Sequence, residues 1–207
     1  MGRLCSFVFA GIVLAVMFAG SGLAATAQLS QADLAALAKG EPFVRVTRVA
    51  PPSVLGAAGK TLAGIDIKAP PEAVFAVLRD CKRIMRVIKS MTSCTVRKSD
   101  PKGLWEERVT SSAPSAVLPT FKSVSRFDFA PFRQIKFRQL EGTMDYAFGQ
   151  WDLVPASDRK TTRLYYQVSI GTSIPIPESL ISTLISNDLP RTLKAFREEV
   201  LRGVPRP

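Results

Sequence analysis

Between Ser93 and Gly171 the chain runs through one stretch of alternating apolar and polar residues after another, with turns between them. A period of two places alternate side chains on opposite faces of a strand, so each stretch has one face to bury. The strands read as Ser93–Lys98, Leu104–Ser112, Lys122–Ala130, Gln134–Glu141, Asp145–Val154 and Thr162–Gly171, with turns at "SDPKG", "PF" and "PASDRK". Strands joined by short turns pair antiparallel, because a parallel pair needs a long crossover.

The segments on either side follow other rules. "SQADLAALAKG" opens with Ser30 as a cap, carries Asp33 three residues later and stops at Gly40, which makes it a short helix. "PFVRVTRV" alternates and reads as a strand, as does Thr61–Lys68 beyond the turn-rich "APPSVLGAAGK". Pro70–Pro71–Glu72 then starts a helix, since proline loses nothing in a first turn and Glu72 complements the dipole there. That helix reaches about Arg79, and a second covers about Lys82 to Met91. At the far end, "IPIPESLISTLISNDLPRTLKAFREEVLRG" begins a helix at Pro177 and leaves it at Gly203. Leu180, Leu184, Leu193, Phe196 and Val200 give it an apolar side, and Pro190 interrupts it. The fold class is α+β, a long C-terminal helix laid over an antiparallel sheet.

The first 27 residues belong to a different kind of segment. Arg3 precedes an apolar run from Phe7 to Ala19, Gly20–Ser21–Gly22 breaks it, and "ATA" at 25–27 sets small residues ahead of a cut before Gln28. That is the layout of a secretory leader, and its apolar core of about 13 residues is short of the roughly 20 that span a bilayer. An uncleaved N-terminal anchor is the other reading. Export leads to a periplasmic or secreted protein, cleaved near Ala27, with residues 28–59 as an N-terminal helix and strand and 60–203 as the main domain.

Charge and cysteines take their meaning from that compartment. Net charge is +11, and the leader accounts for one arginine of it and no acid. Such an excess suits an anionic membrane surface or nucleic acid, and export weighs against nucleic acid. The basic residues are scattered, so a merely solvated basic surface is the competing explanation. Cys81 and Cys94 remain after cleavage and form a candidate disulfide. Cys81 also falls on the stripe Val74, Val77, Leu78, where a buried thiol would serve as well.

Catalytic residue types are sparse. The chain has no histidine, which removes the commonest general base and zinc ligand, and it carries no phosphate loop, dinucleotide fingerprint or nucleophile elbow. Alternation sets Glu107 with Trp105 and Val109, facing inward, although an ion pair with an arginine is the ordinary role for such a carboxylate. No catalytic residue, metal or cofactor is assigned. On the later strands Leu164, Tyr166, Val168 and Ile170 share a face, as do Phe127 with Phe129 and Ile135 with Phe137. The strand after them carries Tyr146 and Phe148 on one face and Trp151 and Leu153 on the other, which implies a bulge or cover on both sides.

Three stretches together resemble a known superfamily. "IDIKAPPEAVFAVLRDCKRIMRVIKSMTSCTV" is similar to the opening of the START-like (SRPBCC) helix-grip proteins, in particular the polyketide cyclase and coenzyme-Q-binding branch. "GQWDLVPASDRKTTRLYYQV" resembles their later hairpin, and "IPIPESLI" with "LPRTLKAFREEV" their proline-led last helix. The resemblance spans residues 60 to 202 and leaves 28–59 uncovered. It implies a curved antiparallel sheet wrapped around the C-terminal helix, with a hydrophobic cavity between them. Phe127, Phe137, Tyr146, Phe148, Tyr166, Ile170, Leu184, Leu193 and Phe196 become candidate cavity walls, and Val117, Leu118 and Phe121 a candidate entrance loop. The cysteine pair also looks like that of exported members. The superfamily hosts carriers and enzymes, so the fold alone does not fix the function. The expected partner is a hydrophobic small molecule or lipid, with the alternatives of a cyclase- or hydrolase-type enzyme and of a ligand-free envelope protein. No cyclase catalytic set is matched.

Overall fold

The computed structural model describes residues 29–50 and 56–204. The leader-like segment and the cut before Gln28 lie outside the described residues. Elements follow in the order α1 (Gln31–Ala38), β1 (Phe43–Arg48), β2 (Ala57–Ile67), α2 (Pro71–Arg79) and α3 (Cys81–Val87). Then come β3 (Met91–Ser99), β4 (Trp105–Ser112), β5 (Phe121–Ala130), β6 (Gln134–Gly142), β7 (Tyr146–Pro155) and β8 (Thr162–Thr172). The chain ends with α4 (Glu178–Thr183), a π turn (Leu184–Asp188) and α5 (Leu189–Arg202).

All eight strands form one antiparallel sheet in the order β1-β2-β8-β7-β6-β5-β4-β3. Its register decides which side chains share a face. Val44, Ala63, Tyr166, Trp151 and Ile135 stand in one cross-strand row, and Ile65, Leu164 and Leu153 in the next. This inner face packs against α2, α3 and α5 in one core that includes Val74, Val77, Leu193, Phe196 and Val200. Each such side chain, fully buried, contributes about 1.5–3 kcal/mol. The outer face carries Phe43, Leu62 and Tyr165, which α1 covers with Leu37. The phenyl of Phe43 lies so close over Gly64 that a Cβ there would sit 2.6 Å from its Cε1.

Local rules place the helices. Ser30 and Asp33 form a reciprocal capping box on α1. Pro71 opens α2, and Asp80 ends it while accepting bonds from the amides of Lys82 and Arg83 at the head of α3. The corner is then fixed from two sides. Cys81 is disulfide-bonded to Cys94 of β3 with Cα atoms 5.4 Å apart, and Arg83 and Arg86 converge on Glu199 of α5.

Three expectations change. β2 begins at Ala57, four residues before the expected Thr61, because Ala58 and Gly59 pair with β8 without an alternating pattern to announce them. Glu107 faces outward and pairs with Arg97, while Glu106 and Arg108 turn inward, since Glu106 stands opposite the inward Phe127. In β7 neither ladder shows a register shift, so regular pairing alone sends Tyr146 and Phe148 to the outer face and Trp151 and Leu153 to the inner one. Around Pro190 the interruption takes the form of the π turn, whose wider i→i+5 spacing accommodates a residue with no N–H and a ring in the way of the preceding carbonyl.

Candidate functional site

The inner face of the sheet and the helices above it leave two cavities. The deeper one, about 170 Å³, lies beneath α2 and α3 and is lined by Leu78, Ile84, Ile88, Met91, Phe127, Ile135, Phe137, Trp151 and Tyr166, with Cys94, Thr110 and Arg108. The second, about 380 Å³, lies under α4 and the π turn, against Val46, Gly59, Thr61, Met144, Ile170, Ile176, Ile181 and Leu184. Both are mainly apolar, but no residue of α5 lines either of them: the expected single space between sheet and last helix is replaced by one under α2 and α3 and one under α4 and the π turn.

Aromatic rings give the deeper cavity its wall. Phe127 and Phe137 stack at 5.8 Å, Phe137 and Tyr166 at 6.3 Å, Tyr166 and Trp151 at 4.2 Å, and Trp151 reaches Phe196 of α5 at 6.2 Å. Gly149 makes room for this row, because a Cβ there would come within 2.8 Å of the Phe137 ring and 2.1 Å of the Gln167 carbonyl. Such stacked rings add on the order of 0.5–1.5 kcal/mol per pair beyond the area they bury.

Three polar groups face this apolar wall. Arg108, only 4% exposed, donates from Nε to Glu106, from Nη1 to the carbonyl of Leu78 at 2.9 Å and from Nη2 to that of Arg79 at 3.1 Å. Its guanidinium lies 4.4 Å from the Phe127 centroid. Burial works to lower its pKa and the Glu106 carboxylate works against that, so the cation is kept by its partner. Thr110 supplies a hydroxyl. Tyr166 supplies another, whose pKa burial pushes up, so that the phenol stays protonated and available as a donor. Among the described residues no group of three or more His, Cys, Asp or Glu side chains could hold a metal.

The comparisons with known proteins bear on this geometry. A family described as polyketide cyclase / dehydrase and lipid transport matches residues 67–197, well over half of the chain. The chain belongs to that family. Solved structures agree on the fold. TTHA0849 from Thermus thermophilus is 21% identical with a TM-score of 0.59, over 70% of this chain and 98% of the other. An aromatase/cyclase from Streptomyces sp. R1128 is 16% identical with a TM-score of 0.58, over 79% and 97%. A STAR-related lipid transfer protein from Xanthomonas axonopodis is 17% identical with a TM-score of 0.56, over 75% and 98%. No curated protein sequence matches the chain. The antiparallel sheet held against a C-terminal helix is the helix-grip fold that the resemblance implied.

The candidate residues fall into distinct places. Phe127, Phe137 and Tyr166 meet at the deeper cavity, and Ile170 and Leu184 at the second. Leu193 and Phe196, on α5, are core residues that line neither cavity. Tyr146 and Phe148 form a tilted pair on the outer face, away from both cavities. Val117 and Leu118 lie between β4 and β5, and Phe121 begins β5. None of the three lines either cavity, and Val117 is 79% exposed. Sequence reasoning did not select Trp151 or Arg108. Alternation already paired Trp151 with the core residue Leu153. Arg108 carried no such signal, because charged residues fill both faces of β4 around it.

Proposed function

We propose that the chain binds an apolar small molecule, a lipid or an isoprenoid-like compound, between the sheet and the C-terminal helix, and carries it without transforming it. The observation that carries this reading is the pair of mainly apolar cavities on the gripping face, each with a few polar side chains at its wall: Arg48, Thr61 and Thr172 at the second, Arg108, Thr110 and Tyr166 at the deeper one. The second cavity falls within the usual range for ligand sites of roughly 300–1,000 Å³, and the deeper one suits a single ring or head group. Apolar burial at roughly 25 cal/mol per Å² would supply most of the affinity. Arg108, Thr110 and Tyr166 would orient the molecule's one polar end. The family's lipid-transport description supports the same class of cargo. The leader-like residues 1–27 and the disulfide support an extracytoplasmic location, and the net charge together with the apolar Val117 loop supports collection of the cargo at an anionic membrane.

Native mass spectrometry with organic extraction tests the proposal. The mature chain should carry a discrete apolar species, and Ile170→Trp, which fills the second cavity, should release it while the fold persists. A protein that stays empty after incubation with lipids and quinones would overturn the reading, and turnover of an added compound would move it to an enzyme.

A further inference from the structure

The outer face of the sheet holds a groove of about 980 Å³, on the opposite side of the strands from both cavities. Its composition follows from the register. One cross-strand row reads Thr47, Lys60, Ser169, Phe148, Arg138, and the neighbouring row reads Arg45, Leu62, Gln167, Gln150, Lys136. Each row therefore has a cation on β1 or β2, a neutral middle on β8 and β7, and a cation on β6. Lys60 and Arg138 are three strands apart, about 14 Å at the usual spacing, and the rows are about 7 Å apart along the strands.

Three of these four cations are not consumed by the fold. Among the described residues no carboxylate lies within ion-pair distance of Lys60, Lys136 or Arg138. One acid, Asp128, lines the groove opposite Lys136, and it and the nearby acids are engaged elsewhere: Asp128 with Arg126, Asp33 with Arg45, and Asp152 with the amides of Gln134, Gln150 and Gln167. Phe148, 52% exposed, stands between the walls.

We propose that this groove is a second binding site, for a linear carboxylate-bearing polysaccharide. The cationic walls complement a chain with repeated negative charge, and a phenyl face between them offers a platform for the C–H face of a sugar ring. Ser169, Gln150 and Gln167 give the hydroxyl and amide groups that hydroxyl-rich chains bond. An acidic peptide fits less well, because peptides gain much of their affinity by pairing at a sheet edge, and here β8, β7 and β6 are interior strands with neighbours on both sides. A bilayer surface fits a convex apolar projection better than a groove.

Titration of the purified mature chain with oligogalacturonate at physiological salt, followed by amide chemical shifts and calorimetry, tests the site. Shift changes concentrated on β2, β6, β7 and β8 are expected. Lys60→Glu/Arg138→Glu should weaken binding at least tenfold and Phe148→Ala severalfold, with unchanged melting. The control Lys102→Glu/Lys160→Glu, equal in charge change and placed in exposed turns, should bind as the parent does. Absence of binding, shifts spread over other faces, or equal weakening in the control would overturn the proposal. So would loss, in the groove variants, of binding to phosphatidylglycerol vesicles with none to the glycan.

Discussion

The indole of Trp151 lies nearly flat against the phenol of Tyr166, with ring centroids 4.2 Å apart and planes inclined by 26°. Trp151 lines the deeper cavity, whereas Trp105, the other of the chain's two tryptophans, is on the outer side of β4 beneath Arg126. An apolar ligand entering the grip should therefore shift the emission of Trp151 alone. Trp105→Phe should keep the ligand-dependent change and Trp151→Phe should lose it, as measured by steady-state fluorescence during titration with a lipid or quinone.

Glu199 is 3% exposed and receives Arg83, Arg86 and Arg202. The bond from Arg86 above all, against the opposing effect of burial, holds its carboxyl at about 2 rather than the ordinary 4.5. A depressed carboxylate stabilises the fold above its unfolded-state pKa, and that stabilisation fades as pH falls through the folded value. Water around the exposed ends of Arg86 and Arg202 screens part of the effect. Glu199→Gln should therefore cost about 2–3 kcal/mol at most at neutral pH, with the difference from the parent closing between about pH 4.5 and 2. Denaturant titrations at pH 7, 4 and 2.5 check this.

The disulfide spans 13 positions in sequence and anchors α3 to β3. In the loop-entropy picture a link of this length contributes about 3 kcal/mol. Reduction, or Cys81→Ala/Cys94→Ala, should lower the denaturation midpoint accordingly, and free-thiol titration of the unreduced protein should find neither cysteine.

Arg108 and Glu106 are a buried ion pair; without Glu106 the guanidinium would keep only its two carbonyl partners, and without Arg108 the carboxylate would keep only the longer contact with Arg79 at 3.9 Å. Arg108→Met alone should cost about 3–5 kcal/mol, whereas Glu106→Gln/Arg108→Met should recover much of that loss. A double-mutant cycle by chemical denaturation measures the recovery. If the pair also orients ligand, the double variant should be stable yet bind more weakly.

Val117 and Leu118 sit in the β4–β5 loop outside the cavities. Val117→Asp/Leu118→Asp should leave the melting curve unchanged and reduce co-sedimentation with anionic vesicles severalfold. Undiminished sedimentation would remove the loop from membrane approach.

Most of the framework was readable from short-range rules. Alternation located the strands from β3 to β8, and Pro70–Pro71–Glu72 and Ser30 located the helix starts, because turn and cap chemistry is written in adjacent residues. Facing was harder. On β4 the apolar Trp105 and Val109 share the parity of Glu107 and suggested the wrong face, and only pairing of Glu106 with Phe127 on β5 shows that the charged Glu106 and Arg108 are the inward pair. Tyr146 and Phe148 are large and apolar, yet their face is set by the ladder with β8 and not by their own character. The family resemblance pointed to a cavity between sheet and helix. Its division into two spaces depends on how far α2, α3 and the π turn descend onto the sheet, a tertiary distance that no local pattern encodes.

The π turn at Leu184–Asp188 also sets the phase of the last helix. Counting back from α5 at about 100° per residue, an unbroken α-helix would swing Leu184 to the side away from the stripe made by Leu193, Phe196 and Val200, so it joins the side on which the sequence grouped it only because the helix is interrupted. The additional residue held in the wide turn takes out about 100° of that swing, which brings Leu184 and Ile181 back towards the stripe and over the second cavity. A chain shortened by one residue here would be an ordinary helix roofing the same cavity. The chain as it stands can become an ordinary helix only by rolling its first half and turning that leucine and isoleucine out to water. The roof thus hangs on an irregularity, and stronger helix formers placed in the turn would loosen it.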